Sequence, residues 1–386
     1  MTIVEAEGTQ SRAPSLAAFA GYFLRLGTFG FGGPIALAGY MQRDLVEERG
    51  WVTKAEYVKG LALAQLAPGP LAAQLAIYLG WARGGILGAT LVAIAFVLPS
   101  FLMVMAISVA YVRFGGLAWM QAAFYGIGAA VIAIILRSAY KLVKLTLGRD
   151  ALLWTIFAVN AIATGVLEAE VVSLILGGGI AALAVRMWRA RATVPLAIVL
   201  PLAGAVTGGG GAAGGTTLFW FFTKAGAFVF GSGLAIVPFL YGGVVREHGW
   251  LTDQQFLDAV AVAMITPGPV VITVAFIGYL VQGFGGAVLA ALGVFLPCYL
   301  FTVIPAPFFE RFADNPRLKA FVDGVTAAAT GAIAGAVYVL ARRAIIDIPT
   351  ILIFAATLAC LVWLKRIPEP AVIAVVGIVS ILWRQM

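Results

Sequence analysis

The sequence predicts an all-α polytopic membrane protein built from two homologous halves, which we expect to be inverted repeats with broken helices. Three observations predict this fold class. Apolar residues make up 62% of the chain and charged residues only 11%. Long apolar runs follow one another along almost the whole chain, and several motifs recur in a second copy at constant spacing.

The composition is unsuited to a water-facing surface. Soluble domains carry about 25% charged residues, so the few charges here imply that most of the surface faces lipid. The 46 glycines suit close packing between membrane helices. The net charge of +8 comes from short basic clusters between apolar runs. We therefore expect membrane lipid as a partner and no nucleic acid, and a homodimer is compatible with the sequence.

The apolar runs have the lengths of membrane helices. A helix needs about 20 apolar residues to cross the hydrocarbon core, and these runs lack the alternation of a membrane barrel. Several runs are interrupted by proline or glycine. They lie at about 15–40, 57–82, 84–112, 117–140, 151–167, 171–187, 194–212, 217–241, 254–282, 285–309, 320–341, 348–364 and 370–384.

An internal repeat divides the chain. We assign 15–190 to the first repeat, 194–215 to a linking run with a glycine-rich joint, and 217–386 to the second repeat. Paired broken segments at corresponding positions predict a transporter binding site between the halves. The matches keep one register, with a single deletion: Gly27 with Gly226, Trp51 with Trp250, Pro68-Gly69-Pro70 with Pro267-Gly268-Pro269, then Pro99 with Pro297, Gly126 with Gly324 and Tyr140 with Tyr338.

At these motifs the sequence resembles the chromate ion transporter family in its long, two-domain form, over about residues 19–345. The family pattern often carries a histidine three residues after the proline of its FGGP motif, where this chain has Leu37. The second half replaces Gly-Pro of that motif by Ser232-Gly233, so we expect unequal halves. The motifs are Phe31-Gly32-Gly33-Pro34, Arg49-Gly50-Trp51, Leu66-Ala67-Pro68-Gly69-Pro70, Phe230-Gly231-Ser232-Gly233 and Thr266-Pro267-Gly268-Pro269.

The resemblance implies export of chromate across the bacterial inner membrane, driven by the membrane potential or a proton gradient. Sulfate is the natural competitor because it is a similar tetrahedral dianion. Three alternatives stay open at this point. The chain could be a transporter of sulfate or another oxyanion, a passive anion channel without coupling, or a membrane scaffold that transports nothing.

The Pro-Gly-Pro motifs suggest how an oxyanion is bound. Chromate presents only acceptor oxygens, so its site needs donors and positive potential, which helix N-termini supply. Proline suits the first position of a helix, so Pro70 and Pro269 are each expected to open a half-helix toward the site. The alternative is that these prolines merely kink a continuous helix, which membrane helices tolerate.

Candidate substrate-binding residues come from these motifs and from two cations. Arg25 lies about ten residues into its run, which places it about 15 Å deep, and Lys224 occupies the matching position. A cation at that depth suggests function, unless it snorkels to the membrane surface. The full set is Arg25, Thr28, Gly30, Gly32, Gly33, Pro34, Gln65, Pro68, Gly69, Pro70, Gln74, Lys224, Ser232, Thr266, Pro267, Gly268 and Pro269.

Coupling to protons would need a titratable group, and two aspartates are candidates. Asp258 and Asp323 lie at the edge of or inside apolar runs, and Asp258 matches Lys59 of the first half. The alternative for both is a solvated aspartate at a helix end. With one histidine, two cysteines and no GxxxxGK[ST] loop, we expect no enzyme, no cofactor and no metal site.

The loop charges predict the topology. Basic residues at 137–149 and 186–191 flank an acidic turn at 168–170, so the positive-inside rule makes the first and third cytoplasmic. With 57–82 crossing the membrane, the count gives about 13 crossings, inverted halves, an inside N-terminus and an outside C-terminus. If the Pro-Gly-Pro segments are re-entrant instead, we expect about 11 crossings and parallel halves.

Overall fold

The computed structural model describes residues 14–115, 117–168, 172–189, 214–229, 233, 236–311, 315–364 and 367–385, and these are helical with short connections. The helices of the first half are α1 Leu16–Phe29, α2 Pro34–Met41, α3 Lys54–Leu66, α4 Leu71–Phe114, α5 Ala118–Thr146, α6 Ala151–Leu167 and α7 Val172–Arg189. Those of the second half are α8 Gly215–Ala227, α9 Ile236–Leu240, α10 Asp253–Ile265, α11 Thr273–Val303, α12 Pro316–Ala344, α13 Ile348–Trp363 and α14 Glu369–Gln385.

The two halves repeat one another element by element, which confirms two homologous halves. Each has a π-helical segment at the same repeat position, Gln42–Glu48 and Tyr241–Glu247. Each then has a 13-residue helix, α3 or α10, that begins at a threonine capping box. The spanning helices that follow are also matched, because α4 and α11 both contain a glycine with positive φ at which the chain bends sharply.

The first break, at Gly30–Gly33, reverses the chain. The Tyr22 hydroxyl donates to Asp44 at 3.2 Å, and the rings of Phe19 and Trp51 lie 6.3 Å apart. The segment after the break therefore runs back along α1. At 14 residues, α1 is about 21 Å long and too short to cross the membrane.

The Pro-Gly-Pro segment forms a second reversal. Gly60 of α3 packs so closely on the Tyr78 ring of α4 that no Cβ would fit between them. Gly69 at the turn has φ +144°, a conformation that favours glycine. The expectation that 57–82 crosses the membrane is therefore wrong, because the turn at Gly69 sends the chain back to the face from which it entered.

A third reversal lies inside α4, where Gly84 and Gly85 leave helical geometry. A Cβ at Gly80 would lie 2.6 Å from the carbonyl oxygen of Gly88, although these residues would be about 12 Å apart along a straight helix. Residues 71–83 are therefore a short arm of the hairpin, and residues 86–114 form a long arm that spans.

The long arms of α4 and α11 run antiparallel, so the halves are inverted. The hydroxyl oxygens of Thr90 and Tyr299 lie 2.7 Å apart, and the rings of Phe101 and Phe284 lie 6.5 Å apart. The hairpins of the first half thus start from one face of the protein, the first-half face. Those of the second half start from the opposite, second-half face.

Inversion and re-entrant Pro-Gly-Pro segments therefore coexist, and the expectation that re-entry makes the halves parallel is wrong. The run at 15–40 is also re-entrant, so each half has two crossings fewer than expected. Because two is an even number, the expected direction of the second half relative to the first is unchanged. The described spanning segments of the first half are the long arm of α4 with α5, α6 and α7, where six crossings were expected. The linking run at 194–212 lies outside the described residues.

Within the described residues, five helices are long and apolar enough to cross a membrane, namely α4, α5, α7, the segment Val270–Val303 containing α11, and α12. The shorter α6 runs parallel to α12, with Gly331 against Phe157 and Gly335 against Ala161. The halves are interlocked, since α6 and α7 pack on α12 while α13 and α14 pack on α5. At the first-half face Arg186 of α7 binds both Asp150 and Asp323.

We predict that Gly80→Ala destabilises the protein by about 1–3 kcal/mol, because the added Cβ meets the Gly88 carbonyl and the Val92 side chain. Thermal unfolding of the detergent-purified protein measures the effect as a lower Tm. Gly177→Ala is the control, since its Cβ would have no neighbour within 4 Å. Equal Tm values for the two variants would contradict the close approach at the hairpin.

Candidate functional site

The hairpin tips of the two halves meet and exchange two backbone hydrogen bonds. The Gly69 N–H donates to the Val229 carbonyl oxygen at 2.6 Å, and the Gly268 N–H donates to the Gly30 carbonyl oxygen at 2.9 Å. Gly69 corresponds to Gly268 in the repeat, and Gly30 corresponds to Val229. The two bonds are therefore related by the pseudo-twofold symmetry of the inverted halves.

A small cavity lies between these tips. Its volume of about 10 Å³ holds about one water molecule. A tetrahedral oxyanion is larger, so the tips have to separate before such an ion can enter. The lining residues are Gly32, Pro34, Leu37, Pro70, Ala72, Gly233, Gly268, Pro269 and Val270.

Helix N-termini border the cavity. The helices α2 and α4 begin after Gly33 and Pro70 without a side-chain cap, and so does the turn Val270–Ile272 that leads into α11. By contrast, α3 and α10 begin at the membrane faces with capping boxes of Thr53 and Thr252. The uncapped N–H groups and the positive ends of the helix dipoles therefore converge on one place.

The electrostatics of the cavity come from the backbone. Its described lining contains glycine, proline and aliphatic side chains, and none of these lining residues is Asp, Glu, Lys or Arg. Donors and positive potential without a carboxylate favour an anion over a cation. Leu37 lines the cavity, at the position where the family that the sequence resembles often has histidine.

The polar candidate side chains support the tips rather than line the cavity. Gln74 is fully buried and donates from Nε2 to the Pro68 carbonyl at 2.8 Å, which holds the first Pro-Gly-Pro turn. Its Oε1 has no hydrogen-bond partner among the described residues. The hydroxyls of Thr28 and Thr266 donate to carbonyls of their own helices.

The structure brings only part of the predicted set to the cavity. Gly32, Pro34, Pro70, Gly268 and Pro269 line it. Arg25, Gln65 and Lys224 are exposed and do not line it. Ser232 lies outside the described residues. Gly30, Gly33, Pro68, Gly69 and Pro267 belong to the tips without lining the cavity.

Sequence reasoning left four lining residues out of the candidate set, namely Leu37, Ala72, Gly233 and Val270. Each lies within or close to a broken-helix motif, so motif membership was an available signal for them. What the sequence lacks is a signal that aliphatic side chains would share this cavity with the glycines and prolines.

Comparisons with known proteins agree on one family. A family model described as "Chromate transporter" matches residues 17–208 and 216–381. A "Chromate transport protein" of Cupriavidus metallidurans is 60% identical over 93% of this chain and 91% of its own. A "Probable chromate transport protein" of Synechococcus elongatus is 57% identical over 96% of both chains. A "Chromate transport protein" of Pseudomonas aeruginosa is 35% identical over 92% of this chain and 89% of its own. No solved structure matches.

We predict that Gly268→Ala lowers transport at least tenfold, because its Cβ would collide with Ser100 and push the tips apart. Gly283→Ala is the matched control. Both glycines have positive φ, +95° and +62°, so both variants carry backbone strain of about 1–2 kcal/mol, but Gly283 has no neighbour within 4 Å. Transport of labelled chromate across the membrane of vesicles that contain the protein measures the difference. Equal losses in the two variants would argue against a role for the tip contact.

Proposed function

This chain belongs to the chromate transporter family, and we propose that it is a secondary transporter that exports chromate across the bacterial inner membrane. Its relatives are named as transport proteins, which points away from an enzyme. The observation that carries the proposal is the convergence of uncapped helix N-termini from both inverted halves on a cavity whose described lining has no carboxylate. The five described helices that are long and apolar enough to cross a membrane indicate a multi-pass membrane protein.

The chemistry of chromate fits such a site. Chromate is a dianion whose four oxygens only accept hydrogen bonds, and backbone N–H groups at helix N-termini only donate. Backbone donors around a small tetrahedral ion do not distinguish chromate from sulfate by charge or shape, so we propose sulfate as a competitor. Phosphate at neutral pH carries a proton that needs an acceptor, and none of the described lining side chains supplies one.

The distribution of basic residues supports an orientation of the protein in the membrane. By the positive-inside rule, the face with more lysines and arginines is cytoplasmic. The second-half face has Arg113, Arg246, Arg342 and Arg343 among the described residues. The first-half face has Arg43, Arg49, Lys54, Arg83, Lys141, Lys144, Arg149, Arg186, Arg189, Arg311, Arg317 and Lys319, so we assign it to the cytoplasm.

An unequal burial of the two hairpins supports alternating access rather than a passive channel. Val58 on α3 is 53% exposed, whereas Leu257 at the same position of α10 is 2% exposed. The second-half hairpin is covered by α5, α12 and α14, and most of α3 lacks such cover. In a pair of inverted repeats, exchanging these two environments would close one face and open the other.

Ion pairs hold the second-half hairpin in its covered position. Arg343 of α12 binds Asp253 of α10 at 2.8 Å and Glu168 at 3.1 Å, and Arg246 also binds Glu168. The first half has the opposite charge at two of these positions, since Glu47 replaces Arg246 and Lys54 replaces Asp253. We propose that these pairs close the second-half face while chromate enters from the cytoplasm.

We predict that expression lowers the chromate content of a chromate-sensitive bacterium and raises its tolerance. In inverted vesicles, excess sulfate should reduce chromate uptake several-fold, and equal phosphate should have little effect. Unchanged chromate accumulation with correctly inserted protein would refute the substrate. Strong competition by phosphate would refute the donor-only site while leaving chromate transport intact.

We predict that Arg25→Ala raises the KM for chromate several-fold, measured from the cytoplasmic face, with a smaller change in kcat. Arg25 is exposed outside the cavity but belongs to the first-half hairpin, so its charge would attract the dianion without touching it in the cavity. Arg25→Lys should have a KM close to that of the wild type because it keeps the charge. Lys224→Ala is the control on the opposite hairpin. An unchanged KM in Arg25→Ala would mean that the side chain snorkels to lipid headgroups instead.

A further inference from the structure

A buried carboxyl group lies on the second-half hairpin, apart from the cavity. Asp258 of α10 is 4% exposed. The Tyr111 hydroxyl donates to its Oδ2 at 2.7 Å, and Gln254 Nε2 donates to its Oδ1 at 2.8 Å. No lysine or arginine of the described residues forms an ion pair with it. The alternative of a solvated helix-end aspartate is therefore wrong for Asp258, whereas Asp323 pairs with Arg186.

The two partners of Asp258 can satisfy both of its protonation states. When the carboxylate is ionised, it accepts from the Tyr111 hydroxyl and from Gln254. When it is protonated, its O–H can donate to the Tyr111 oxygen, which accepts as well as donates, while the other oxygen still accepts from Gln254. An uncompensated buried charge is costly, so the neutral form suits the covered position and the ionised form suits contact with water.

The aromatic ring of Tyr111 is held in place by its neighbours. Phe124 of α5 and Phe276 of α11 pack edge-on against it, with ring centroids 5.4 Å and 5.1 Å away. The hydroxyl is thereby aimed at Asp258 from the long arm of α4, a first-half element. The carboxyl is therefore bound across the contact between the halves and would sense their relative movement.

The charged groups on the surrounding elements are engaged elsewhere or exposed. Asp253, at the start of α10, is bound by Arg343 of α12 and by the Tyr241 hydroxyl. Glu369 of α14 pairs with Arg137 of α5 at 3.9 Å. Arg113 of α4 is exposed. Arg246 and Glu247 of the segment Tyr241–Glu247 are exposed, and Arg342 of α12 lies beside Tyr338. The remaining described charges of α5 and α12 lie toward the first-half face, namely Lys141, Lys144, Arg317, Lys319 and Asp323. The segment 270–303, which contains α11, has no Asp, Glu, Lys, Arg or His.

The repeat shows that the fold does not need this trio. The first-half counterparts of Asp258 and Gln254 are Lys59 and Ala55, and the counterpart of Tyr111 is Phe309. The first-half hairpin thus folds in the same way although these three positions hold a cation, a methyl group and an aromatic ring without a hydroxyl. A purely structural hydrogen bond would be expected in both copies, so the trio has a task that only one half performs.

We propose that Asp258 is a proton-binding site that couples proton movement to chromate export, which rests on the proposed function. Asp258 lies five residues into α10, about 8 Å from the second-half face and between that face and the tips. When α10 is uncovered, a hydronium ion at that face transfers its proton to the carboxylate and leaves water. When α10 is covered, the carboxyl stays protonated until water reaches it from the cytoplasmic side, and it then gives its proton to that water.

Proteoliposomes with a clamped membrane potential test the proposal. Chromate flux and internal pH are recorded together, with a pH dye inside the vesicles. We expect proton movement to accompany chromate in the wild type and to fall at least tenfold in Asp258→Asn, which keeps the shape and loses ionisation. Asp44→Asn is the matched control, because Asp44 also accepts from a tyrosine, Tyr22, but pairs with Arg43 at 2.9 Å. It should behave as the wild type does.

The outcomes separate the two proposals. No chromate flux in the inserted wild type would overturn the proposed function. Chromate flux without proton movement, or unchanged proton movement in Asp258→Asn, would overturn the role of Asp258 and leave chromate transport standing. If the Asp258→Asn variant does not insert into the membrane, the Tyr111→Phe variant tests the proposal instead. Losing a donor to the ionised carboxylate should move the midpoint of the pH profile of transport upward, and an unmoved midpoint would overturn the proposal.

Discussion

Two backbone hydrogen bonds between hairpin tips are the contact on which the rest of the architecture depends. The Gly69–Val229 and Gly268–Gly30 bonds join opposite halves at the place where four broken segments end. Each hairpin arm is too short to cross the hydrocarbon core, so its tip exposes backbone groups that lipid cannot satisfy. Meeting the tips of the other half satisfies some of these groups and encloses the rest around a small cavity. The inverted repeat is what makes this possible, since only hairpins entering from opposite faces can meet end to end.

The same inversion explains why the halves are interlocked. The re-entrant hairpins do not span the membrane, and the helices that follow them in each half pack on a helix of the other half. Helices α6 and α7 pack on α12, while α13 and α14 pack on α5. Glycines make these contacts close, as where Gly324 meets Gly178 and Gly179. A movement of one hairpin consequently shifts helices of the other half. Such coupling is required if the two hairpins are to exchange their covered and uncovered environments.

The two halves have related backbones but different side chains at several important positions. The cavity is formed by both halves, yet in the described part of the chain a buried carboxyl bound by a tyrosine of the other half, Asp258 with Tyr111, occurs in the second half alone. The first half has Lys59 at that position and a more exposed hairpin helix. The ionic cluster of Arg246, Glu168, Arg343 and Asp253 likewise joins the second-half hairpin to its cover. Symmetric folding with asymmetric side chains lets one face differ from the other in charge and in coupling, which directional transport needs.

The sequence by itself determined the membrane class, the two homologous halves and the motifs at which helices break. These follow from local properties, because hydropathy, proline and glycine act on the segment in which they occur. It also led to inverted halves, although by counting two re-entrant runs in each half as crossings. Only the tertiary structure decided that these runs turn back, since a proline-glycine break permits either a kink or a reversal and the choice depends on what the tip meets. For the same reason it brought Gly32, Pro70 and Gly268 together, left Arg25 and Lys224 outside, and buried Asp258 beside Tyr111. Those placements depend on contacts between residues far apart in the chain, which no local pattern specifies.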